Sequence, residues 1–269
     1  MRRLVPLVLF IIYSISGYTW NAAGHKLVAQ IAYDNLSPQA KKRCSQIFQI
    51  KEQDLEPYFV TVSTWLDEIR KRNSHQFNSL HYIDIPFTKD KSKLPKVKPR
   101  NALWAIKQAV LILSSNKTNN ATKALNLKIL IHVVGDIHQP LHVSTKVSQR
   151  FPKGDLGGNL YLFSSSPYGK NLHQYWDNGA GILNNKTLKE TKIKAHLLEK
   201  NWPCSSVKQQ IKPEQWVESA HFIAVNQVYS IRTHKRPNTD YQYNTRQTTE
   251  QQIVLAGCRL ANVLNTITS

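Results

Sequence analysis

The sequence predicts an all-α fold: a single mainly helical domain over residues 20–269 with a short β-hairpin, behind a leader over residues 1–19. Three observations predict it. Apolar residues recur at three- and four-residue steps along most of the chain after Trp20, the repeat of a helix with one buried face. Only residues 159–163 read as strand, with Gly157-Gly158 as a turn signal before them. No linker composition divides the chain into halves, and no fixed-period repeat runs through it.

Taken in order, Leu27, Val28, Ile31, Ala32 and Leu36 mark a helix over 24–36. Ser37-Pro38 opens a second, with serine as cap and proline in its first turn. Val62, Trp65, Leu66 and Ile69 carry a helix over 60–70, and 103–113 and 124–136 follow the same period. Later helices fit 188–198, 213–229 and 250–264. Residues 88–99 form a loop, with Lys89, Lys91, Lys93, Lys96 and Lys98 among prolines. That loop reads either as a solvated surface or as a basic lip for a phosphate backbone.

The first residues read as a secretory signal. Arg2 and Arg3 precede an apolar run over 4–15 and small or polar residues over 16–19. The run is short for a membrane span, and no second long apolar run follows, so a secreted or periplasmic protein without stable membrane association is expected. A cut before Gly17 fits the small-residue pattern somewhat better than one before Trp20. The cut before Trp20 is preferred for the chemistry that begins there. The formal charge is +19, of which the leader holds two, and such a surplus attracts polyanions. Three cysteines are too few for a thiolate cluster. One disulfide and one free thiol are expected in a secreted chain, with Cys204 and Cys258 taken as the pair.

The chemistry lies in a set of potential metal ligands: Trp20, His25, Asp67, His81, His132, Asp136, His142, His173 and Asp177. Imidazole nitrogen and carboxylate oxygen are the ligands zinc takes where cysteine is not offered. So many groups exceed one tetrahedral ion and suit about three. His132 and Asp136 stand four apart and share one helix side, as do His173 and Asp177. Pro140 disturbs the helix between Asp136 and His142, freeing His142 to turn to a neighbouring site. His138 lies off that face and reads as a supporting residue. Taken singly, Asp67 reads as a helix-surface charge and His81 as a hydrogen-bonded loop residue rather than as ligands. Trp20 reads as an ordinary buried tryptophan, or as a chelating terminal amine and carbonyl once the leader is cut.

These stretches, from Trp20 to His25, Trp65 to Asp67, His81, His132 to His142, Gly157 to Asn159 and His173 to Asp177, fall in an order that resembles the S-one/P-one nuclease family. These are secreted zinc-dependent single-strand nucleases of the phospholipase C/nuclease fold type. The resemblance implies that Asp67, His81 and His132 hold one zinc, and that His142, His173 and Asp177 hold a second. A third would be held by the Trp20 amine and carbonyl, His25 and Asp136. It implies metal-activated water attacking phosphorus, with Asp67, Arg70 and Asp136 in catalytic positions. Single-stranded DNA and RNA would be cut to 5′-phosphate products, and nucleoside 3′-monophosphates would be dephosphorylated. Arg70 would contact the phosphate, Tyr82 would stack a base, and Asp84 and Asn159 would contact the substrate. A monomer is expected.

Two other functions fit parts of the pattern. A zinc phospholipase C would use a near-identical cluster, although Asp177 stands where the phospholipases resembled carry glutamate, and the charge suits a polyanion better than a zwitterionic headgroup. A non-enzymatic basic nucleic-acid-binding protein would need the charge but not the ligands.

Overall fold

The computed structural model describes residues 20–72, 75–206 and 212–268. The leader and its cleavage point lie outside the described residues. The expected helices are present: α1 (Ala22–Asp34), α2 (Pro38–Phe48), α3 (Leu55–Val62), α4 (Trp65–Lys71), α5 (Ala102–Ser114), α6 (Asn120–Ile137), α7 (Pro140–Val143), α8 (Leu172–Asp177), α9 (Leu188–Asn201), α10 (Pro213–Asn226) and α11 (Thr239–Thr268). Side-chain caps fix most of their starts. Asn21 accepts from the amides of Ala23 and Gly24, Ser37 from Ala40, and Asn171 from Gln174. Thr187 and Glu190 form a reciprocal box at the head of α9.

α6 is the central post. Every residue from Ile129 to Ile137 is buried, because α5, α2, α11, α1 and α4 all pack on α6. A helix buried on all sides is where polar groups are held most rigidly, and His132 and Asp136 stand on it. α1 packs against α11, α9 and α3 and presents His25 to α6. Gly135 permits this approach, since a Cβ there would lie 2.9 Å from His25 Nδ1.

Two expectations are corrected. The helix expected over 60–70 is two helices, broken at Ser63-Thr64. The expected β-hairpin is absent among the described residues, and 159–163 instead makes tight turns with one isolated antiparallel bridge, Leu162 to Asn171. The small sheet is parallel and built elsewhere, from β1 (Ile85–Thr88) and β2 (Ser144–Val147). These strands are the continuations of the His81 and His142 segments, which already meet where the Ile83 amide donates to the His142 carbonyl at 2.8 Å. Four residues are too few to print an alternating pattern, and Pro86 within β1 argues against a strand on sequence grounds.

Cys204 and Cys258 form a disulfide, with Cα atoms 5.4 Å apart, fastening the chain after α9 to α11. That pairing fits an oxidising compartment. Cys44 is free and buried, and burial pushes its thiol up to about 12. Among the described residues no helix is long and apolar enough to cross a membrane.

Candidate metal centre

The residues singled out by spacing converge. His132 Nε2 lies 3.1 Å from His81 Nδ1 and 3.3 Å from Asp136 Oδ2. His25 Nε2 lies 3.3 Å from the other oxygen, Asp136 Oδ1, and its ring stacks on His132 with centroids 3.9 Å apart. Beyond Asp136, His173 Nε2 lies 3.4 Å from Asp177 Oδ2 and His142 Nε2 lies 4.0 Å from Asp177 Oδ1. Asp136 joins the two halves, with Oδ1 at 3.9 Å from His142 Nδ1. All of these side chains are buried, and Asp67 is half-buried at the edge.

Backbone carbonyls aim the rings. Nδ1 of His132 donates to the Ser63 carbonyl at 2.6 Å, Nδ1 of His142 to the His81 carbonyl at 2.7 Å, and Nδ1 of His173 to the Gly157 carbonyl at 2.6 Å. A carbonyl can only accept, so each Nδ1 carries a proton and Nε2 is the nitrogen turned toward the cluster. The Ser63 carbonyl is available because the chain breaks between α3 and α4. The Gly157 carbonyl is available because Gly157 takes φ +60, where a Cβ would meet the Leu141 carbonyl at 2.5 Å. Sequence reasoning assigned no role to Gln139, whose Nε2 donates to Asp177 Oδ1 at 2.7 Å and whose Oε1 accepts from the Leu141 amide. Its place between Asp136 and His142 was the signal. His138 is structural, donating to the Val134 carbonyl and meeting Arg259.

The donor set fits metal cations. His25 Nδ1 and Nε2, His81 Nε2, Asp136 Oδ1 and Asp177 Oδ2 are buried without a hydrogen-bond partner among the described residues, a costly condition unless a cation meets them. Burial pushes the His25 imidazole down to about 4, with His132 adding to the effect, so the ring is neutral as a ligand must be. Burial pushes the Asp177 carboxyl well above its usual range against the pull of Gln139, with Asp67 and Asp136 adding to the rise. Burial also works to raise Asp136, but His132, His25 and His81 hold it well below that range. Three groups of side chains offer ligand atoms within 4.8 Å of one another: His25, Asp67 and His132; His81, His132 and Asp136; and His142, His173 and Asp177. The last is the expected set. The other two share His132 and redistribute the expected partners, with Asp67 grouped with His25 and Asp136 with His81.

A family model described as S1/P1 Nuclease matches residues 20–269. The chain belongs to the S1/P1 nuclease family. Endonuclease 4 of Arabidopsis thaliana is 26% identical, with all of this chain and 96% of the relative covered. Nuclease S1 of Aspergillus oryzae is 27% identical over 66% of this chain and 60% of its own length. Nuclease P1 of Penicillium citrinum is 26% identical over 59% and 57%. As an S1/P1 nuclease the protein is a hydrolase acting on phosphodiester bonds of nucleic acid.

The remaining expected site residues of this nuclease surround the cluster. Trp20 is fully buried, and with Lys26, Asp67, Glu68, Gln174 and Asp177 it lines a cleft beside the cluster. The Asn21 amide donates to the Asp177 carbonyl at 3.1 Å, which pins the start of the helical domain to the end of α8. Arg70, one turn after Asp67 on α4, is close enough for its charge to act on both Asp177 and Tyr82. Tyr82 is half-buried, and Asp84 holds a left-handed backbone at φ 57. Burial raises the Asp84 carboxyl to about 6, partly offset by His142. Asn159 is nearly buried, and its Nδ2 donates to the Leu156 carbonyl at 2.8 Å, closing the turn that presents Gly157.

Proposed function

We propose that this protein is secreted, loses its leader before Trp20, and acts as a monomeric zinc-dependent endonuclease on single-stranded DNA and RNA, releasing 5′-phosphate products and also dephosphorylating nucleoside 3′-monophosphates. The observation that carries this reading is the clamped cluster. Histidines held by carbonyls through Nδ1, with Nε2 turned toward shared carboxylates, sit inside a chain whose family is that of S1/P1 nucleases.

His81, His132, Asp67, Asp136 and His25 would hold zinc on the α6 side, joined by the Trp20 amine and carbonyl after cleavage; His142, His173 and Asp177 would hold it on the α8 side. When bound, zinc supplies Lewis-acid polarisation of the phosphate and a water acidic enough to be a nucleophile at neutral pH. The protein's own groups do the rest. Asp136 fixes the spacing of the two halves. Gln139 holds Asp177 in one orientation. Arg70 steadies the phosphate by charge-assisted hydrogen bonds. Tyr82 stacks an unpaired base, which favours single strands, and Asp84 meets the base edge.

The test is a substrate panel on the purified secreted protein. Single-stranded DNA and RNA should be cut faster than duplex DNA, with 5′-phosphate ends, and phosphatidylcholine should be left intact. Turnover of the lipid without nucleic acid cleavage would replace this reading with a phospholipase C.

A further inference from the structure

The chain makes one long excursion beside the site. β1 carries it from the His81–Asp84 segment out to Thr88. Residues 89–101 then return, and the Ala102 amide donates to the Tyr82 carbonyl at 3.1 Å. The excursion thus begins and ends at the residue expected to stack a base.

Its composition is one-sided. Lys89, Lys91, Lys93, Lys96, Lys98 and Arg100 are all exposed, and among the described residues none has a carboxylate within ion-pair distance. The one acid, Asp90, is occupied in shaping the loop: Oδ1 accepts from Thr88 and Ser92, and Oδ2 from the Gln149 amide at 3.1 Å. This ties the outgoing arm to the chain just after β2. The lysines are therefore held on a braced loop rather than a free one. The hydrogen bond from the Ala102 amide to the Tyr82 carbonyl sets the end of the returning arm beside the His81–Asp84 segment.

Where the loop enters α5 it presents an aromatic platform. Trp104 is 38% exposed, and the Arg100 guanidinium lies 5.3 Å from its ring centroid. Trp104 thus shows part of its ring to solvent with a guanidinium over it. It offers a face on which a base can stack, with the cation beside it for the adjoining phosphate.

We propose that the 89–101 loop and the Arg100–Trp104 platform form an outer binding track for single-stranded polynucleotide, which lets the enzyme prefer long strands over dinucleotides. This rests on the nuclease reading of the cluster. Cations alone would serve any polyanion, but an exposed stacking face beside them selects unpaired bases over a lipid surface.

The experiment compares wild-type holoenzyme with the triple variant Lys93→Ala, Lys96→Ala, Lys98→Ala and, separately, with Trp104→Ala. The ratio of kcat/KM for a 20-mer to that for a dinucleotide is measured across salt. The triple variant should lower that ratio about tenfold or more through KM, and the salt slope for the 20-mer should fall by about 0.7 for each phosphate that is no longer neutralised. Trp104→Ala should weaken the 20-mer by about fivefold or more, the scale of one missing base stack, without altering the salt slope. Unchanged ratio and slope in both variants would overturn the track. So would retention of anionic phosphatidylserine vesicles by the wild type, abolished in the triple variant, while the length ratio stays put. If the wild type cleaves neither substrate, the nuclease reading fails. The track is then decided by whether the triple variant loses capture of the 20-mer that the wild type retains.

Discussion

At the scale of single residues, the candidate ligands were legible as a set, because His132 with Asp136 and His173 with Asp177 repeat one spacing and His142 complements the second pair. His132, Asp136, His173 and Asp177 stand as that spacing implied. What holds them was not legible. The clamps on His132, His142 and His173 are backbone carbonyls, and every residue has one. Only the fold decides that those of Ser63, His81 and Gly157 point inward. Gln139 is the exception, a side chain in plain view. Gln139→Ala should lower zinc affinity about 10–100-fold, as loss of a partner to a ligating carboxylate does, read by competition with a chelator of known affinity. Unchanged affinity would return Gln139 to helix capping through the Leu141 amide. Tyr82→Ala should weaken substrate binding by about 1–3 kcal/mol, seen in KM for a dinucleotide, and unchanged kinetics would return Tyr82 to packing. Asp84 is raised by burial to about 6, so it gains its charge, and its full capacity to accept from a base edge, as pH rises through that value. Asp84→Asn should remove one titration near pH 6 from the kcat/KM profile. A profile that keeps it assigns that titration to another group.

At the scale of elements, the helices were legible from their period, and the failures share a cause. The break between α3 and α4 leaves the apolar period of Val62, Leu66 and Ile69 uninterrupted, so nothing in the sequence marks it. β1 and β2 pair where the His81 and His142 segments are brought side by side. Residues 159–163 carry strand-like side chains but are taken up by the turns that aim Gly157. The approach of α1 to α6 sets His25 beside His132 and Asp136. Gly135→Ala would push a Cβ against His25, and overpacking of this kind costs about 1–3 kcal/mol. Thermal denaturation should show that loss, and metal analysis should show less zinc per chain. A variant as stable as wild type with full zinc would mean that α1 can shift away freely.

At the scale of the whole molecule, the cluster joins side chains from α1, α4, α6, α7, α8 and the His81 segment, elements that also pack into the hydrophobic core. The pocket gathers buried imidazoles and carboxylates placed so that they could hold metal ions. Chelation should therefore lower the melting temperature, since each site saturated at about 100 times its dissociation constant contributes about 2.7 kcal/mol. A transition unmoved by chelator would show that the helical packing alone sustains the fold. The decisive determination is the zinc content of the secreted protein, taken together with its amino-terminal sequence. A chain beginning at Trp20 should carry about three zinc ions, and a form extended by one residue before Trp20 should carry one ion fewer. A chain beginning at Trp20 that binds no zinc, or an extended form that keeps the full complement, would refute the cluster as the metal centre of this nuclease.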